Sequence, residues 1–172
     1  MDAQQRRQAL ARRLEQAQKP LSAAALAREF QVSRQIIVGD VALLRAGGME
    51  ITATPRGYVL PGGSRGVQRT FACRHRPEEM EAELNAMVDQ GCTVVDVIVE
   101  HPVYGQLTGA LQLSSRYEVG QFIASCRRSG ASPLSNLTEG IHLHTLSCPD
   151  EGAARRVEER LRELGFLVED SK

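Results

Sequence analysis

All four histidines of this 172-residue chain lie in residues 70–172, and two of them are separated by a single residue. His142 and His144 flank Leu143 in a segment with the alternation typical of a β-strand. Because residues two apart on a strand point to the same face, both imidazoles can converge on one ion. His75, at the end of an earlier predicted strand, offers a third imidazole. The pattern predicts a metal site.

A helix predicted after His75 supplies carboxylates for the same site. Beside its apolar stripe it carries four glutamates, Glu78, Glu79, Glu81 and Glu83. A helical wheel places Glu81 and Glu83 on opposite flanks of the stripe, so helix geometry alone leaves both open. Imidazole and carboxylate ligands suit zinc, nickel, iron(II) and manganese. We expect a divalent transition metal here, and these ligand types do not rank the four ions.

A second cluster surrounds His101, which is followed by Pro102, Val103, Tyr104 and Gly105. The proline and the glycine predict a fixed turn at the end of a strand. Such a turn can aim His101 and Tyr104 at a ligand pocket. The alternative is that His101 only satisfies backbone carbonyls of the turn.

The cysteines, Cys73, Cys92, Cys126 and Cys148, are widely spaced and form no CxxC pair. This spacing argues against a disulfide framework and predicts reduced, buried thiols. Cys73 and Cys148 lie near histidines in the sequence, but positions in the core explain both.

The overall composition is ordinary for a soluble globular protein, with 42% apolar and 24% charged residues. The charged residues, however, are distributed unevenly along the chain. Residues 1–69 carry 11 basic and 5 acidic side chains, whereas residues 70–172 carry 10 and 16. The first half is therefore expected to meet a polyanion. No apolar run approaches the roughly 18 residues of a membrane helix, and no signal-peptide core follows the polar N-terminus. We expect a cytoplasmic protein without a membrane partner.

A linker is predicted at residues 61–68, which contain three glycines and a proline. It separates a domain of residues 1–60 from one of residues 69–172. The second domain is predicted to have strands at 70–75, 93–100, 105–113 and 140–147 and helices at 77–90, 116–128 and 150–164. This order predicts a two-layer α+β fold with helices on one face of a mostly antiparallel sheet, to which residues 165–168 could add an edge strand.

The first domain reads as a winged helix. Helices are predicted at 4–18, from Ser22 to about residue 30, and from Ser33 to about Arg45, with the two serines as N-caps. The short gap between the last two helices is that of a helix-turn-helix. Two short strands on either side of Pro55 and Arg56 predict a wing.

Candidates for contacts to double-stranded DNA are Ser33, Arg34, Gln35, Arg45 and Arg56. The first three begin the recognition helix, whose free N–H groups favour phosphate, and Arg and Gln side chains pair bidentately with guanine and adenine edges. Arg56 would reach a minor groove or a phosphate. The alternative is a protein-interaction module whose basic face is merely solvated.

Four segments carry a resemblance to a known family: VSRQIIV at 32–38, DVALLR at 40–45, EHPVYG at 100–105 and LTEGIHLHT at 137–145. They resemble the niacin-responsive transcriptional repressors, which join a winged helix to a 3H domain named for its histidines. The resemblance covers essentially the whole chain. It implies a repressor, not an enzyme, that binds palindromic operators as a homodimer, silences genes of NAD synthesis or niacin uptake and takes nicotinic acid as corepressor.

The resemblance also implies an HPr-like fold for the second domain. The metal ligands that it implies are His75, Glu83, His142 and His144, a set that chooses Glu83 over Glu81. We expect the metal, with His101 and Tyr104 nearby, to form the nicotinic acid pocket. One residue departs from the resemblance, because Gly39 stands where a longer polar residue is expected; it could permit close approach to a backbone or be simply tolerated in the helix.

Other functions are compatible with the same residues. In a metal-sensing regulator, the ion and not nicotinic acid would be the signal. A metal-dependent enzyme of nicotinate metabolism would need a general base, for which only His101 is available. A phosphocarrier-like domain is disfavoured by the clustering of the histidines.

Overall fold

The computed structural model describes residues 1–62 and 66–169. The chain separates into two compact units, Met1–Gly63 and Ser64–Lys172. The predicted linker, residues 61–68, falls at this division, and its residues 63–65 lie outside the described residues. Its last two residues differ from the prediction, because strand pairing already begins at Val67.

Three helices form the first unit: α1 (Ala3–Glu15), α2 (Ala23–Glu29) and α3 (Arg34–Ala46). Ser22 and Ser33 cap α2 and α3 as predicted, since each hydroxyl accepts a hydrogen bond from the N–H three residues later. The first helix ends at Glu15, before the predicted residue 18. Its inward residues pack with those of α2 and α3 in one core of Leu10, Leu14, Leu26, Ala27, Ile37, Val41 and Ile51.

A two-stranded wing follows α3. Strand β1 (Thr52–Thr54) pairs antiparallel with β2 (Gly57–Val59), and Tyr58 also forms a bridge with Leu21 at the start of α2. The wing is therefore hydrogen-bonded to the segment before α2 as well as closed on itself.

The second unit contains four strands and three helices: β3 (Val67–Arg74), α4 (Met80–Val88), β4 (Thr93–His101), β5 (Gly105–Leu113), α5 (Arg116–Ser129), β6 (Ile141–Cys148) and α6 (Glu151–Glu163). The strands form one antiparallel sheet in the order β3-β6-β4-β5, with a bulge in β4 between Val94 and Asp96. Alternate residues of β6 are buried, and they join apolar side chains of all three helices in one core. The predicted α+β class is confirmed.

Two predicted elements of this unit are shorter than expected. The helix predicted at 77–90 begins as a 3-10 turn, Pro77–Glu79, and becomes α-helical only from Met80 to Val88. The edge strand predicted at 165–168 is reduced to a single bridge between Leu167 and Cys73. In the described residues, no helix is long and apolar enough to cross a membrane.

Candidate metal site and nucleic-acid interface

A single buried carboxylate, that of Glu83, contacts three imidazoles. Glu83 Oε2 lies 2.6 Å from His75 Nε2 and 3.3 Å from His144 Nε2, and Glu83 Oε1 lies 2.9 Å from His142 Nε2. The carboxylate is 0% exposed and the three imidazoles at most 4%. The structure therefore brings together the three predicted histidines and Glu83, whereas Glu81, left open by the helical wheel, is exposed.

The other ring nitrogen of each histidine is held by the backbone. His75 Nδ1 donates to the carbonyl of Arg76 (2.8 Å), His142 Nδ1 to that of Gly140 (2.8 Å) and His144 Nδ1 to that of Asp96 (2.7 Å). A carbonyl can only accept, so each Nδ1 carries a hydrogen. Nε2 then donates to Glu83 when the ring is protonated and presents its lone pair to Glu83 when the ring is neutral. Backbone partners of this kind orient metal-ligating histidines in proteins.

Strand register explains why these residues meet. In the β3–β6 pair, Cys73 lies opposite His142 and Phe71 opposite His144, so both histidines face the core side of the sheet. His75 directly follows β3, the strand that pairs with β6. Glu83 projects from the buried side of α4, which packs on this face.

The electrostatics of the cluster depend on the histidines. Burial alone raises the pKa of Glu83, but the charge of His144 and the hydrogen bonds from all three rings hold the pKa of this carboxyl well below its usual range. Burial alone lowers the pKa of His75 and His144, and their contacts with Glu83 outweigh it and raise both. A cation between the lone pairs of Nε2 and the carboxylate is thus required, either a proton or a metal ion.

Gly140 lies against the backbone of His75 and is hydrogen-bonded to the ring of His142. Its φ is +93°, a conformation that favours glycine, and a Cβ built on it would lie 2.7 Å from the carbonyl oxygen of His75. Gly140 also provides the carbonyl that fixes His142. A side chain at this position would displace the residues on both sides of the site.

The thiol of Cys73 borders the same cluster. Its sulfur, a carboxylate oxygen of Glu83 and a ring nitrogen of His142 lie within 4.8 Å of one another. Burial, and then the charge of Glu83, raises the pKa of this thiol strongly, which keeps it protonated. All four cysteines are free thiols, as predicted. Cys73, Cys92 and Cys148 are buried as predicted, whereas Cys126 is only partly buried.

The second predicted cluster lies at the tip of the β4–β5 hairpin. His101 Nδ1 accepts hydrogen bonds from the N–H groups of Val103 (3.1 Å) and Tyr104 (3.2 Å), so it satisfies turn donors rather than the carbonyls of the alternative prediction. Its ring lies 5.0 Å from the ring of Tyr104, whose side chain is exposed. Within residues 66–169, neither ring contacts the four metal-ligand candidates.

A cavity of about 300 Å³ does adjoin the cluster. His142 forms part of its wall, and most of the remainder is apolar. It extends along β4 and β5 toward the hairpin, through Glu100 and Gln106. Its full lining is Ile98, Val99, Glu100, Gln106, Thr138, Ile141, His142 and Leu143.

In the first unit, the predicted DNA-contacting residues occupy different environments. Ser33, Arg34 and Gln35 are exposed at the start of α3, and Ser33 is the N-cap. Arg56 lies in the turn of the wing, in a groove shared with Arg34. Arg45 is engaged within the unit, because its Nε donates to the carbonyl of Ile51 (2.8 Å) and its guanidinium lies over the ring of Tyr58.

Sequence reasoning missed one buried ionic contact. Asp40 of α3 is 3% exposed, and its carboxylate accepts two hydrogen bonds from Arg6 of α1, at 2.6 and 3.2 Å. Arg7 lies 3.8 Å from the same carboxylate. The signal was an acidic residue between the inward positions Ile37 and Val41, facing a helix that begins with two adjacent arginines.

Both units match known protein families. Residues 6–59 match the family model of an HTH domain, and residues 68–170 match that of a 3H domain. The chain is 47% identical over 167 residues to a protein of Thermotoga maritima named probable transcription repressor NiaR, covering 97% of this chain and 95% of that one. It is 44% identical over 161 residues to the transcription repressor NadR of Bacillus subtilis, covering 91% and 89%.

Proposed function

The chain belongs to the family of the NiaR and NadR transcription repressors, and from this premise we propose that it represses genes of NAD synthesis or niacin uptake in the cytoplasm, with nicotinic acid as corepressor. It is a DNA-binding protein and not an enzyme. The dimer, the metal and the corepressor are part of this proposal.

The observation that carries the proposal is the cluster around Glu83. Three Nε2 lone pairs and one carboxylate converge in a space closed to solvent, and each imidazole is fixed by a backbone carbonyl. This donor set fits a divalent transition metal, zinc or nickel in the first place. His75, Glu83, His142 and His144 would hold the ion, and the ion would join β3, α4 and β6.

Nicotinic acid has a carboxylate and a pyridine nitrogen, and either group suits an open position on such an ion. The cavity beside His142 offers an apolar wall for the ring of the ligand and leads toward His101 and Tyr104. We therefore place the corepressor in this cavity. Nicotinamide, which lacks the carboxylate, would bind less tightly.

Repression requires that the corepressor favour one arrangement of two winged helices. A palindromic operator is bound by a dimer, whose half-sites must match the spacing of the two recognition helices. The ligand shifts this equilibrium only through its different affinity for the two arrangements. Basic residues of the first unit would supply the phosphate contacts, whose strength falls as salt rises.

The direct test is the affinity of the metal-loaded protein for DNA upstream of an NAD-synthesis or niacin-transport gene, at fixed salt, with nicotinic acid, with nicotinamide and with neither. Strong tightening by nicotinic acid alone is expected. Binding that responds to removal of the metal but ignores both vitamins would overturn the corepressor role and favour a metal-sensing regulator. Absence of specific binding under every condition would overturn the proposal as a whole.

Arg34 tests the division of labour between the units. Arg34→Ala is expected to weaken specific DNA binding by about 1–3 kcal/mol while metal and nicotinic acid binding are unchanged. Loss of ligand binding in this variant would contradict the assignment of the two functions to separate units.

A further inference from the structure

The outward face of the recognition helix α3 is uncharged and largely apolar. Opposite the buried residues Ile37 and Val41, the exposed residues along this face are Gln35, Ile36, Gly39, Ala42, Leu43 and Ala46. Ile36 is 41% exposed and Leu43 56%. They lie three residues before and four residues after Gly39, so both are neighbours of the glycine on the helix surface.

Nothing within the first unit requires a glycine at position 39. A glycine inside a helix costs about 1 kcal/mol relative to alanine. A Cβ built on Gly39 would meet no atom within 4 Å, and its φ lies outside the left-handed region that favours glycine. Alanine would therefore fit the isolated unit and stabilise α3. The missing side chain is explained if another molecule closely approaches the helix at this position.

We infer, on the basis of the proposed DNA-binding function, that Gly39 is the point of closest approach between α3 and the major groove, and that Ile36 and Leu43 beside it pack on thymine methyl groups. The 5-methyl group of thymine is the apolar group that the major groove presents to a protein. The surrounding charge favours a polyanion over an apolar protein partner, because residues 1–62 carry nine basic and five acidic side chains. Specificity at the centre of the site then comes from shape and apolar contact.

The first experiment compares two glycines that lie inside helices, one in each unit. Gly39 and Gly120, which lies inside α5 of the second unit, are both helical, and a Cβ at either would meet no atom within 4 Å. The probe is a duplex of about three helical turns that the wild-type protein selects from a random library. Gly39→Ala is expected to slow amide hydrogen exchange in α3 by about fivefold, which corresponds to about 1 kcal/mol, and yet to weaken binding to this duplex by about tenfold. Gly120→Ala is expected to slow exchange in α5 and leave the affinity unchanged.

The second experiment removes methyl groups from the DNA. Each thymine of the selected duplex is replaced in turn by deoxyuridine, which lacks only the 5-methyl group. At one or two positions per half-site, wild-type affinity is expected to fall by about threefold to fivefold, the effect of one apolar contact. Ile36→Ala and Leu43→Ala change exposed side chains, so the fold is kept, and each is expected to lose the sensitivity at its own position.

The outcomes separate this inference from the function on which it rests. If the wild-type protein selects a duplex but Gly39→Ala binds it as tightly, the close approach is wrong and the family function stands. If no deoxyuridine substitution changes the affinity, the methyl contacts are wrong. If the wild-type protein selects no duplex at all, both the inference and the proposed function fail.

Discussion

Among the described residues, each unit of this chain has one buried carboxylate on a helix, and the partners of the two carboxylates differ in kind. Asp40 is paired with Arg6 and Arg7, which remain charged at every physiological pH. Glu83 is paired with three histidines, which can be neutral and are fixed with their lone pairs toward it. The carboxylate of Asp40 is always balanced by positive charge, whereas that of Glu83 is balanced only when a cation lies between it and the imidazoles.

This difference separates a structural ion pair from the metal site that we propose. A buried charge without a partner is destabilising, so Asp40 ties α1 to α3 whatever else the protein binds. Glu83 reaches the same balance only when a proton or a metal ion lies between it and the rings. Stability of the second unit should therefore respond to metal, while that of the first should not.

The largest expected effect comes from Glu83→Gln, which keeps the shape of the side chain and removes its charge. Metal affinity is expected to fall by about a thousandfold, or about 4 kcal/mol, because the carboxylate that contacts all three imidazoles loses its charge. Competition with a chromogenic chelator measures this change. The control is Glu81→Gln on the same helix, whose exposed carboxylate makes no contact with the cluster.

Asp40→Ala is expected to destabilise the first unit by about 3 kcal/mol, because it leaves the guanidinium of Arg6 partly buried without its partner. Amide hydrogen exchange in α1 and α3 measures the change locally. The matched control is Glu29→Ala, which removes an exposed ion pair of the same unit, 3.0 Å from Arg13, and should change stability by less than about 1 kcal/mol. A loss of metal affinity in Asp40→Ala would break the comparison, since it would mean that the two carboxylates are not independent.

Sequence periodicity predicted the parts of both units that depend on local pattern. The serine caps of α2 and α3, the wing and the pairing of His142 with His144 on one face follow from neighbouring residues. The choice of Glu83 over Glu81 did not follow from the residues, because both flank the apolar stripe of α4 and only its packing against the sheet decides which is buried. The resemblance to a family had to supply that choice.

The site contacts that sequence reasoning missed depend on residues distant along the chain. The carbonyl of Asp96 fixes His144 from the strand next to β6, beside a bulge that alternation cannot predict. Gly140 is required by the close approach of the carbonyl of His75, 65 residues earlier in the chain. Asp40 reads as an ordinary polar residue of an amphipathic helix until α1 is placed against it.

Gly140→Ala tests whether the second carboxylate depends on the backbone around it. The new methyl group would displace His75 and disturb the carbonyl that fixes His142, so metal affinity is expected to fall by about 10- to 100-fold. Gly130→Ala is the control, because Gly130 also has a positive φ, +64°, but a Cβ there would meet no atom within 4 Å. Equal metal affinities in the two variants would show that backbone strain alone, and not the contact with His75, explains Gly140.

Substitution of His101 is expected to have the smallest effect on metal binding. This histidine lies at the tip of the β4–β5 hairpin, away from both buried carboxylates. His101→Asn can keep an acceptor for the N–H groups of Val103 and Tyr104, because an asparagine oxygen makes the same kind of turn contact. His101→Ala removes the acceptor and is expected to lower the free energy of unfolding by about 1 kcal/mol. Metal affinity should stay within about twofold in both. If His101 binds the corepressor, both variants lose the response of operator affinity to nicotinic acid; if it serves only the turn, His101→Asn keeps that response in full. The asparagine variant therefore decides whether the hairpin tip belongs to the regulatory site or only closes a turn.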